Sequence, residues 1–290
     1  YINQKESDVF DNYDCRKEDI KLQKEMINTI KIEKRAIHFL EESIVDCDYL
    51  DSSINSMDKE LSWDGYIYIY CDKKFSNKSF DDKIPVQVKG HWDTQKKEIY
   101  KKNIQYPVDL YVLENYYNDR GVLYFKIVMN EDRKEIFYSI LYPSKIKGYL
   151  DEARRKKNKK HINIVLTKLQ PKASEMLRIC RQFSLESNKQ GSGRGQIVPK
   201  TVCLNDIGKY KSLQATAVGT QNPIEFAKRV SVGDVCFYVK DSSDIWFPVS
   251  ANDVTKCFVG QHVVRDISVG GRVFYSEYEI ICGTDDSFSI

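Results

Sequence analysis

The sequence has no long apolar run, little net charge and few histidines. No stretch approaches the roughly 20 consecutive apolar residues that a membrane-spanning helix needs, and no charged-then-apolar leader opens it. The net charge of +3, from 45 basic and 42 acidic residues, gives no overall field that would indicate nucleic acid, so any basic surface must be local. We therefore expect a cytoplasmic protein that does not bind a membrane.

The cysteines also exclude one class of site. The eight cysteines are widely scattered, and no two have the close spacing of a zinc knuckle. Several lie in apolar patterns such as Val235-Cys236-Phe237, where a free cysteine packs as a small hydrophobic side chain. With only four histidines in the chain, the pattern argues against a cysteine-based metal site. It suits a reducing compartment, where disulfides are rare.

The chain has enough apolar residues, 41% of 290, for a full core, and its length suits two domains. Apolar periodicity predicts a helix over residues 16–50, followed by a polar loop to Leu61. A charged helix is expected at 144–157, and Asn118-Asp119-Arg120-Gly121 is typical of a hairpin turn. Alternating patterns predict strands at 66–70, 84–90, 108–113, 122–128, 136–142 and 162–166. Residues 1–170 are therefore expected to form an α/β domain with a mostly antiparallel sheet.

The remaining residues suggest a second unit. A helix is predicted from Pro171 to about residue 186, since proline is favoured at a helix start. The segment SNKQGSGRG (187–195) has the composition of a flexible linker and lacks the GxxxxGK[ST] spacing of a phosphate-binding loop. Residues 171–195 are thus helix and linker. Residues 196–290 are expected to form a smaller β-rich accessory or partner-binding domain, with strands at 215–218, 235–239, 245–249, 263–269 and 273–281.

Four polar residues stand at unusual positions in the first domain. Gln87 and Lys89 share the polar side of the strand IPVQVKG (84–90), and Asp64 enters the strand before it in Trp63-Asp64-Gly65. Glu41 falls on the apolar stripe of the first helix. A carboxylate directed at a core is costly unless it binds a cation or a hydrogen-bond donor. A Mg²⁺ or Mn²⁺ ion held by Asp64, Glu41 and the Gln87 oxygen, with Lys89 alongside, would satisfy all four.

Such an assembly suits phosphodiester hydrolysis. Mg²⁺ bound by carboxylates polarises the phosphate and lowers the pKa of a bound water, and a neighbouring lysine offsets the charge on the phosphoryl oxygens. The structural alternative is that Asp64 caps a turn, that Gln87 and Lys89 are solvated residues of an ordinary strand, and that the Glu41 side chain extends its carboxylate to solvent. Pro85 also constrains the strand, which must begin there or lie at an edge because proline cannot donate a ladder hydrogen bond.

The order of these motifs resembles that of the PD-(D/E)XK, or restriction-endonuclease-like, nucleases. An acid on a helix is followed by Asp-Gly at a strand and by Gln-x-Lys on the next strand. More narrowly, Trp63-Asp64-Gly65 and Gln87-Val88-Lys89-Gly90 resemble the Gln-x-Lys subfamily found in bacterial phage-defence systems. The segment YKKNIQYPVDLYVL (100–113) fits the Tyr- and Pro-containing stretch of that family. The resemblance covers roughly residues 30–168.

The resemblance implies a mixed sheet flanked by helices and an Mg²⁺-dependent (or Mn²⁺-dependent) endonuclease that cuts DNA as an effector of anti-phage defence. In that reading Asp64 is the principal metal ligand, Gln87 and Glu41 complete the shell, and Lys89 activates water or stabilises the transition state. It also implies a short Argonaute or another sensor protein as a partner of residues 196–290, and oligomerisation on activation.

Two readings remain open beside a DNA-cutting enzyme. One is a catalytically inactive nuclease-like protein that binds nucleic acid or acts as a scaffold. The other is a nuclease for RNA, since this chemistry attacks phosphorus in either backbone. Further contacts to nucleic acid are predicted at His91 and in the basic run Arg154, Arg155, Lys156 and Lys157, which could bind phosphates without sequence preference.

Overall fold

The computed structural model of the protein describes residues 29–55, 62–157, 160–191, 209–220 and 222–249, with the backbone alone for 213, 223, 260–269, 272–282 and 288–289. The elements are α1 (29–45), β1 (Leu50–Ile54), β2 (Gly65–Tyr70), β3 (Phe80–Trp92), β4 (Asn103–Asp109), α2 (Leu110–Asn118), β5 (Val122–Met129), β6 (Lys134–Leu141), α3 (Pro143–Arg155), β7 (His161–Lys168), α4 (Ala173–Gln190), β8 (Ser212–Thr216), α5 (Pro223–Ser231), β9 (Cys236–Lys240), β10 (Trp246–Pro248), β11 (Gly260–Val269), β12 (Arg272–Cys282) and β13 (Phe288–Ser289).

A seven-stranded mixed sheet in the order β1-β2-β3-β5-β6-β7-β4 is the centre of the fold. Only β3 and β5 pair in parallel, and every other neighbouring pair is antiparallel. The buried side chains of α1 and α4 pack on one face of the sheet, and those of α2 and α3 pack on the other. The predicted α/β class, with a mostly antiparallel sheet flanked by helices, is confirmed.

The C-terminal part is β-rich, as predicted. Strands β8, β9 and β10 form a three-stranded sheet in the order β10-β9-β8, and β11, β12 and β13 form another. The short helix α5 was not predicted. Within the described residues, no helix is long and apolar enough to cross a membrane.

The predicted helix over 16–50 was too long. Residues 16–28 lie outside the described residues, α1 ends at residue 45, and Leu50–Ile54 is a strand rather than the start of a loop. The sequence LDSSI has little strand propensity of its own, but pairing with β2 buries Leu50 and Ile54 against the core. Strand formation here depends on tertiary contacts more than on intrinsic preference.

The predicted strand at 108–113 and the hairpin at 118–121 were also wrong. The strand β4 ends at Asp109, and residues 110–118 are helical. Leu113 and Tyr116, three residues apart, bury one side of this helix. Gly121, at a φ of +96°, follows the helix and donates its N–H to the Tyr116 carbonyl (2.9 Å). The turn residues therefore join a helix to β5.

Pro85 lies in the half of β3 that has a neighbouring strand on one side only. It pairs with Tyr66 of β2, whereas the parallel pairing of β3 with β5 begins only at Val86. The first half of β3 therefore has a strand on one side only, and the missing N–H of Pro85 leaves no ladder position unfilled. The expectation that the strand begins at Pro85 is wrong, because β3 begins at Phe80; the expectation of an edge holds for that half of the strand.

A buried ionic cluster joins α4 to the segment before β9. The Arg178 guanidinium lies 2.8 Å from the Asp234 carboxylate, and Tyr138 donates its hydroxyl to the same carboxylate (2.6 Å). Arg178 and Asp234 are 6% and 1% exposed. Cys236 and Tyr238 of β9 share a buried apolar cluster with α4. Part of the region after residue 196 is thus packed against the central sheet; the domain boundaries themselves stay predictions.

We expect Asp234→Asn to lower the free energy of unfolding by up to about 3–5 kcal/mol. It removes the more buried of the two carboxylates that pair with Arg178 and leaves only Glu175 (2.9 Å) to balance the guanidinium charge. Urea denaturation followed by circular dichroism measures this loss. Asp244→Asn, at an exposed ion pair with Lys211, is the matched control and should not shift the midpoint. Equal midpoints for the two variants would contradict the assigned role of the pair.

Candidate functional site

Asp64 and Gln87 meet on the face of the sheet that α2 covers. Gly65 pairs with Val86 across β2 and β3, which sets Asp64 beside Gln87. The two side chains are 3% and 6% exposed. The Gln87 amide donates from Nε2 to Asp64 Oδ2, and the Val88 backbone N–H donates to the same oxygen (2.8 Å). The expectation that Gln87 could be an ordinary solvated residue is therefore wrong.

The backbone around Gly65 explains how Asp64 reaches this position. The Asp64 N–H donates to the Val86 carbonyl (2.9 Å), while its own carbonyl accepts from Asn55 (2.8 Å). These groups point to opposite neighbouring strands, so the regular strand cannot extend through Asp64. Gly65 has a φ of +150°, and a Cβ atom there would overlap the Ser53 carbonyl. The Asp64 carboxylate then accepts the hydrogen bond from the Val88 N–H, which a backbone carbonyl would have accepted if the strand continued.

Tyr116 of α2 is the third member of the site. Its hydroxyl donates to Gln87 Oε1 (3.0 Å), and its ring lies 6.0 Å from that of Trp63, centroid to centroid. Burial, with the nearby Asp64 charge, raises the pKa of Tyr116 well above its usual value, so the hydroxyl stays protonated. Tyr116 was not predicted as a site residue, because the residues around it were expected to form a strand followed by a turn. Its helical spacing from Leu113 was the available signal.

Lys89 follows Gln87 on the same side of β3, half-buried, and lies in register with Lys126 of β5. Lys126 is 5% exposed and its Nζ lies 2.6 Å from the Glu98 carboxylate. His91, the next residue on this side of β3, has its Nε2 3.8 Å from the same carboxylate. The site thus continues along β3 and β5 as a row of basic side chains with one carboxylate among them. Neither Lys126 nor Glu98 was predicted.

The loop that carries Glu98 is held by Asp93. Burial disfavours the ionised form of the Asp93 carboxylate, but backbone N–H groups of Glu98, Ile99 and Lys97 donate to it and hold its pKa below the usual range. A carboxylate that accepts several N–H bonds stays ionised at neutral pH. The loop conformation therefore fixes Glu98 opposite Lys126.

Glu41 approaches the sheet from the other layer. Its helix, α1, packs on the face that Val86 and Val88 bury, opposite to Tyr116. Burial raises the pKa of Glu41, against the opposing effects of His38 and of a hydrogen bond from the Ile54 backbone. Ile54 pairs with Gly65. The contacts of Glu41 explain its position without a metal, and its role as a metal ligand stays a prediction.

The basic run lies at the C-terminal end of α3, on the same layer as Tyr116. Arg154 pairs with Asp151 (3.1 Å) and Lys156 with Glu152 (2.5 Å), and all four residues of the run are exposed. These ion pairs are helical neighbours on a solvated surface, where such pairs exchange readily for other partners. Phosphate binding by the run stays a prediction.

The donor atoms of the site fit a hard divalent cation with a small protein shell. The described part of the chain holds no group of three or more His, Cys, Asp or Glu side chains that could bind a metal. Mg²⁺, however, usually keeps several waters and binds one or two protein oxygens. Asp64 supplies a carboxylate, and Gln87 would supply its oxygen after a half-turn of its amide. The Tyr116 hydroxyl could pair with either orientation, because it both donates and accepts.

Comparisons of the chain with protein-family models, with curated proteins and with solved structures gave no match.

We expect Gly65→Ala to destabilise the protein by at least about 3 kcal/mol, since it adds an overlap with Ser53 to a strained φ. Thermal unfolding measures the effect. Gly191→Ala is the matched control: Gly191 also has a positive φ, of +63°, but open space around its Cβ position. Similar losses for both variants would show that the close approach to Ser53 does not constrain Asp64.

Proposed function

We propose that the protein is a metal-dependent nuclease that hydrolyses phosphodiester bonds of DNA. The contact between the buried Asp64 and Gln87 side chains, with Lys89 next on the same side of β3, carries this proposal. The carboxylate and the amide meet away from solvent, and a half-turn of the Gln87 amide would direct its oxygen toward Asp64 as a second ligand. A lysine amine beside them suits a reaction in which negative charge builds on phosphoryl oxygens.

The order of the elements supports a restriction-endonuclease-like core. Helix α1 precedes the antiparallel strands β1, β2 and β3, and β5 then pairs in parallel with β3 after α2. Asp64 directly precedes the second strand of this group, and Gln87 and Lys89 lie on the third. This is the motif order that the sequence shares with PD-(D/E)XK nucleases.

Each side chain of the site would have its own role in phosphodiester hydrolysis. Asp64 and Gln87 would hold Mg²⁺ or Mn²⁺, which when bound polarises the phosphate and lowers the pKa of a coordinated water. Tyr116 positions the Gln87 amide through its hydroxyl. Lys89 offsets charge on the phosphoryl oxygens or orients the attacking water. His91, whose side chain is 44% exposed, lies where the neighbouring backbone would pass, and Lys126 is buried beside it in an ion pair with Glu98.

The biological setting is part of the proposal and is supported by the motif resemblance alone. We propose a cytoplasmic effector of anti-phage defence, in which residues 196–290 bind a sensor such as a short Argonaute and oligomerisation accompanies activation. RNA as the substrate is the nearest variant of this function.

A catalytically inactive nucleic-acid-binding or scaffold protein is the second candidate. One observation favours it: the Gln87 amide and the Val88 N–H already satisfy the Asp64 carboxylate without a metal. The two candidates differ in their response to divalent metal, because only the enzyme requires it for activity.

We expect purified protein to nick supercoiled plasmid DNA with Mn²⁺ or Mg²⁺, and EDTA to abolish the nicking. Lys89→Ala should lower the rate about 10²- to 10⁴-fold, in the range of a lost catalytic group. Lys96→Ala, at an exposed ion pair with Asp132, is the matched lysine control and should cut as wild type does. A Lys89→Ala variant that cuts at the wild-type rate would contradict the assignment of the site. If neither the wild type nor the variants cut, the result would favour the inactive candidate or a missing activator.

Substitutions of the two carboxylates proposed as metal ligands are expected to differ in how much nicking activity they leave. Asp64→Asn keeps an oxygen that can accept the Val88 N–H, so we expect a folded protein with little or no metal-dependent cutting. Glu41→Gln keeps an acceptor for the Ile54 N–H, and because α1 packs on the opposite face we expect it to retain more activity than Asp64→Asn. Titration of Mg²⁺ against the nicking rate measures both. The reverse ranking would make Glu41 the principal ligand.

A further inference from the structure

A strip of partly exposed aromatic rings runs along the sheet away from Asp64. Three tyrosines follow Asp64 on β2 at two, four and six residues, so they project from the same side of the strand. Phe80 of β3 pairs with the last of them, and Phe75 lies in the turn between the strands. The members of this aromatic strip are Tyr66, Tyr68, Tyr70, Phe75 and Phe80.

The rings of the aromatic strip belong to neither core of the central sheet. No member is among the buried residues of the two apolar clusters that the helices form with the sheet. Phe75 and Phe80 are 45% and 46% exposed, and the three tyrosines are half-buried. A contiguous group of partly exposed aromatic side chains beside a candidate active site indicates a binding surface rather than part of the core.

The rings contact one another in tilted and T-shaped pairs rather than as parallel stacks. Tyr70 lies 4.9 Å from Phe75 and 6.1 Å from Phe80, and Tyr68 lies 6.5 Å from Phe80, with interplanar angles of 55–77°. The ammonium group of Lys83 lies 3.5 Å from the centre of the Tyr66 ring. Aromatic faces with a lysine among them are the surface that single-stranded nucleic acid uses, because every base has a face that can stack.

The spacing of the rings favours an unpaired strand over a duplex. Residues two apart on a β-strand are about 6.6 Å apart, roughly twice the 3.4 Å axial rise that separates stacked bases in a duplex. An extended strand with its bases separated matches this interval, whereas a stacked helix does not. Bases in a duplex also hide their faces from protein rings.

We propose that the aromatic strip binds single-stranded nucleic acid by stacking on its bases and leads the strand to Asp64. The second half of this statement rests on the proposed nuclease function; the first half does not. Asp51 of β1 is in register with Tyr68 and its charge, after burial, helps raise the pKa of Tyr70. This carboxylate opposes the charge of Lys83, so stacking supplies the affinity and its dependence on salt is shallow.

Fluorescence anisotropy of the full chain with a labelled 20-nucleotide oligothymidine, in EDTA, tests the strip without any catalysis. We expect Tyr68→Leu and Phe80→Leu each to weaken binding about 5- to 150-fold, the loss of one stacked base. Tyr68→Phe keeps the ring and should bind as wild type does. Tyr100→Leu removes a 58% exposed tyrosine outside the strip and is the matched control.

The outcomes separate this inference from the proposed function. Binding by Asp64→Asn that equals wild type, together with weak binding by Tyr68→Leu, supports the strip whether or not the protein cuts DNA. Wild-type binding by both leucine variants overturns it, as does binding of a 20-base-pair duplex as tight as that of the single strand. A change of oligomeric state in Phe80→Leu, with unchanged oligothymidine binding, would make the strip a protein contact and also overturn it.

Discussion

The hydrogen bond from the Val88 backbone to the Asp64 carboxylate is the contact on which the site depends. Strand β2 begins at Gly65, and the side chain of Asp64 replaces the missing backbone acceptor for the N–H of Val88 in β3. One carboxylate oxygen thereby completes the sheet and faces the Gln87 amide. Only glycine tolerates the backbone geometry at position 65 and the close approach of the Ser53 carbonyl. The start of β2 and the position of the Asp64 carboxylate are therefore fixed together.

The sheet separates apolar packing from polar chemistry around this point. The side of β3 that carries Val86 and Val88 is covered by α1 and α4, whereas the other side carries Gln87, Lys89 and His91. Along β2, the residues after Asp64 on the polar side are the tyrosines of the aromatic strip. A single alternation of side chains on two strands thus directs the candidate ligands, the basic row and the aromatic strip to one surface.

The charged side chains buried away from the site hold α4 and the segment around β9 together. Arg178 and Asp234 join α4 to the segment before β9, and the Glu186 carboxylate accepts from the Tyr238 hydroxyl (2.5 Å) nearby. Lys145, also buried, donates to the Gly233 carbonyl (3.3 Å). Burial lowers the pKa of Lys145, although the Asp234 charge opposes this. These pairs are specific in geometry and costly to break, so they fix how this part of the C-terminal half packs on the helix.

The sequence by itself determined the elements whose apolar period is unambiguous: β2, β3, β5, β6, β7, α3, α4 and the strands β9 to β12. The strand predicted at 215–218 lies three residues earlier, at Ser212–Thr216. It also determined that Gln87 and Lys89 share one side of a strand, because a period of two allows no other arrangement. Tertiary structure decided the rest. The segment LDSSI forms a strand only because it pairs with β2. The apolar residues of LYVLENYYN fit the period of a strand as well as that of a helix, and packing against the sheet favours the helix. The contacts of Asp64 with Gln87 and of Gln87 with Tyr116 join residues 23 and 29 apart; local periodicity carries no information about such distances, and only the register of the sheet supplies it.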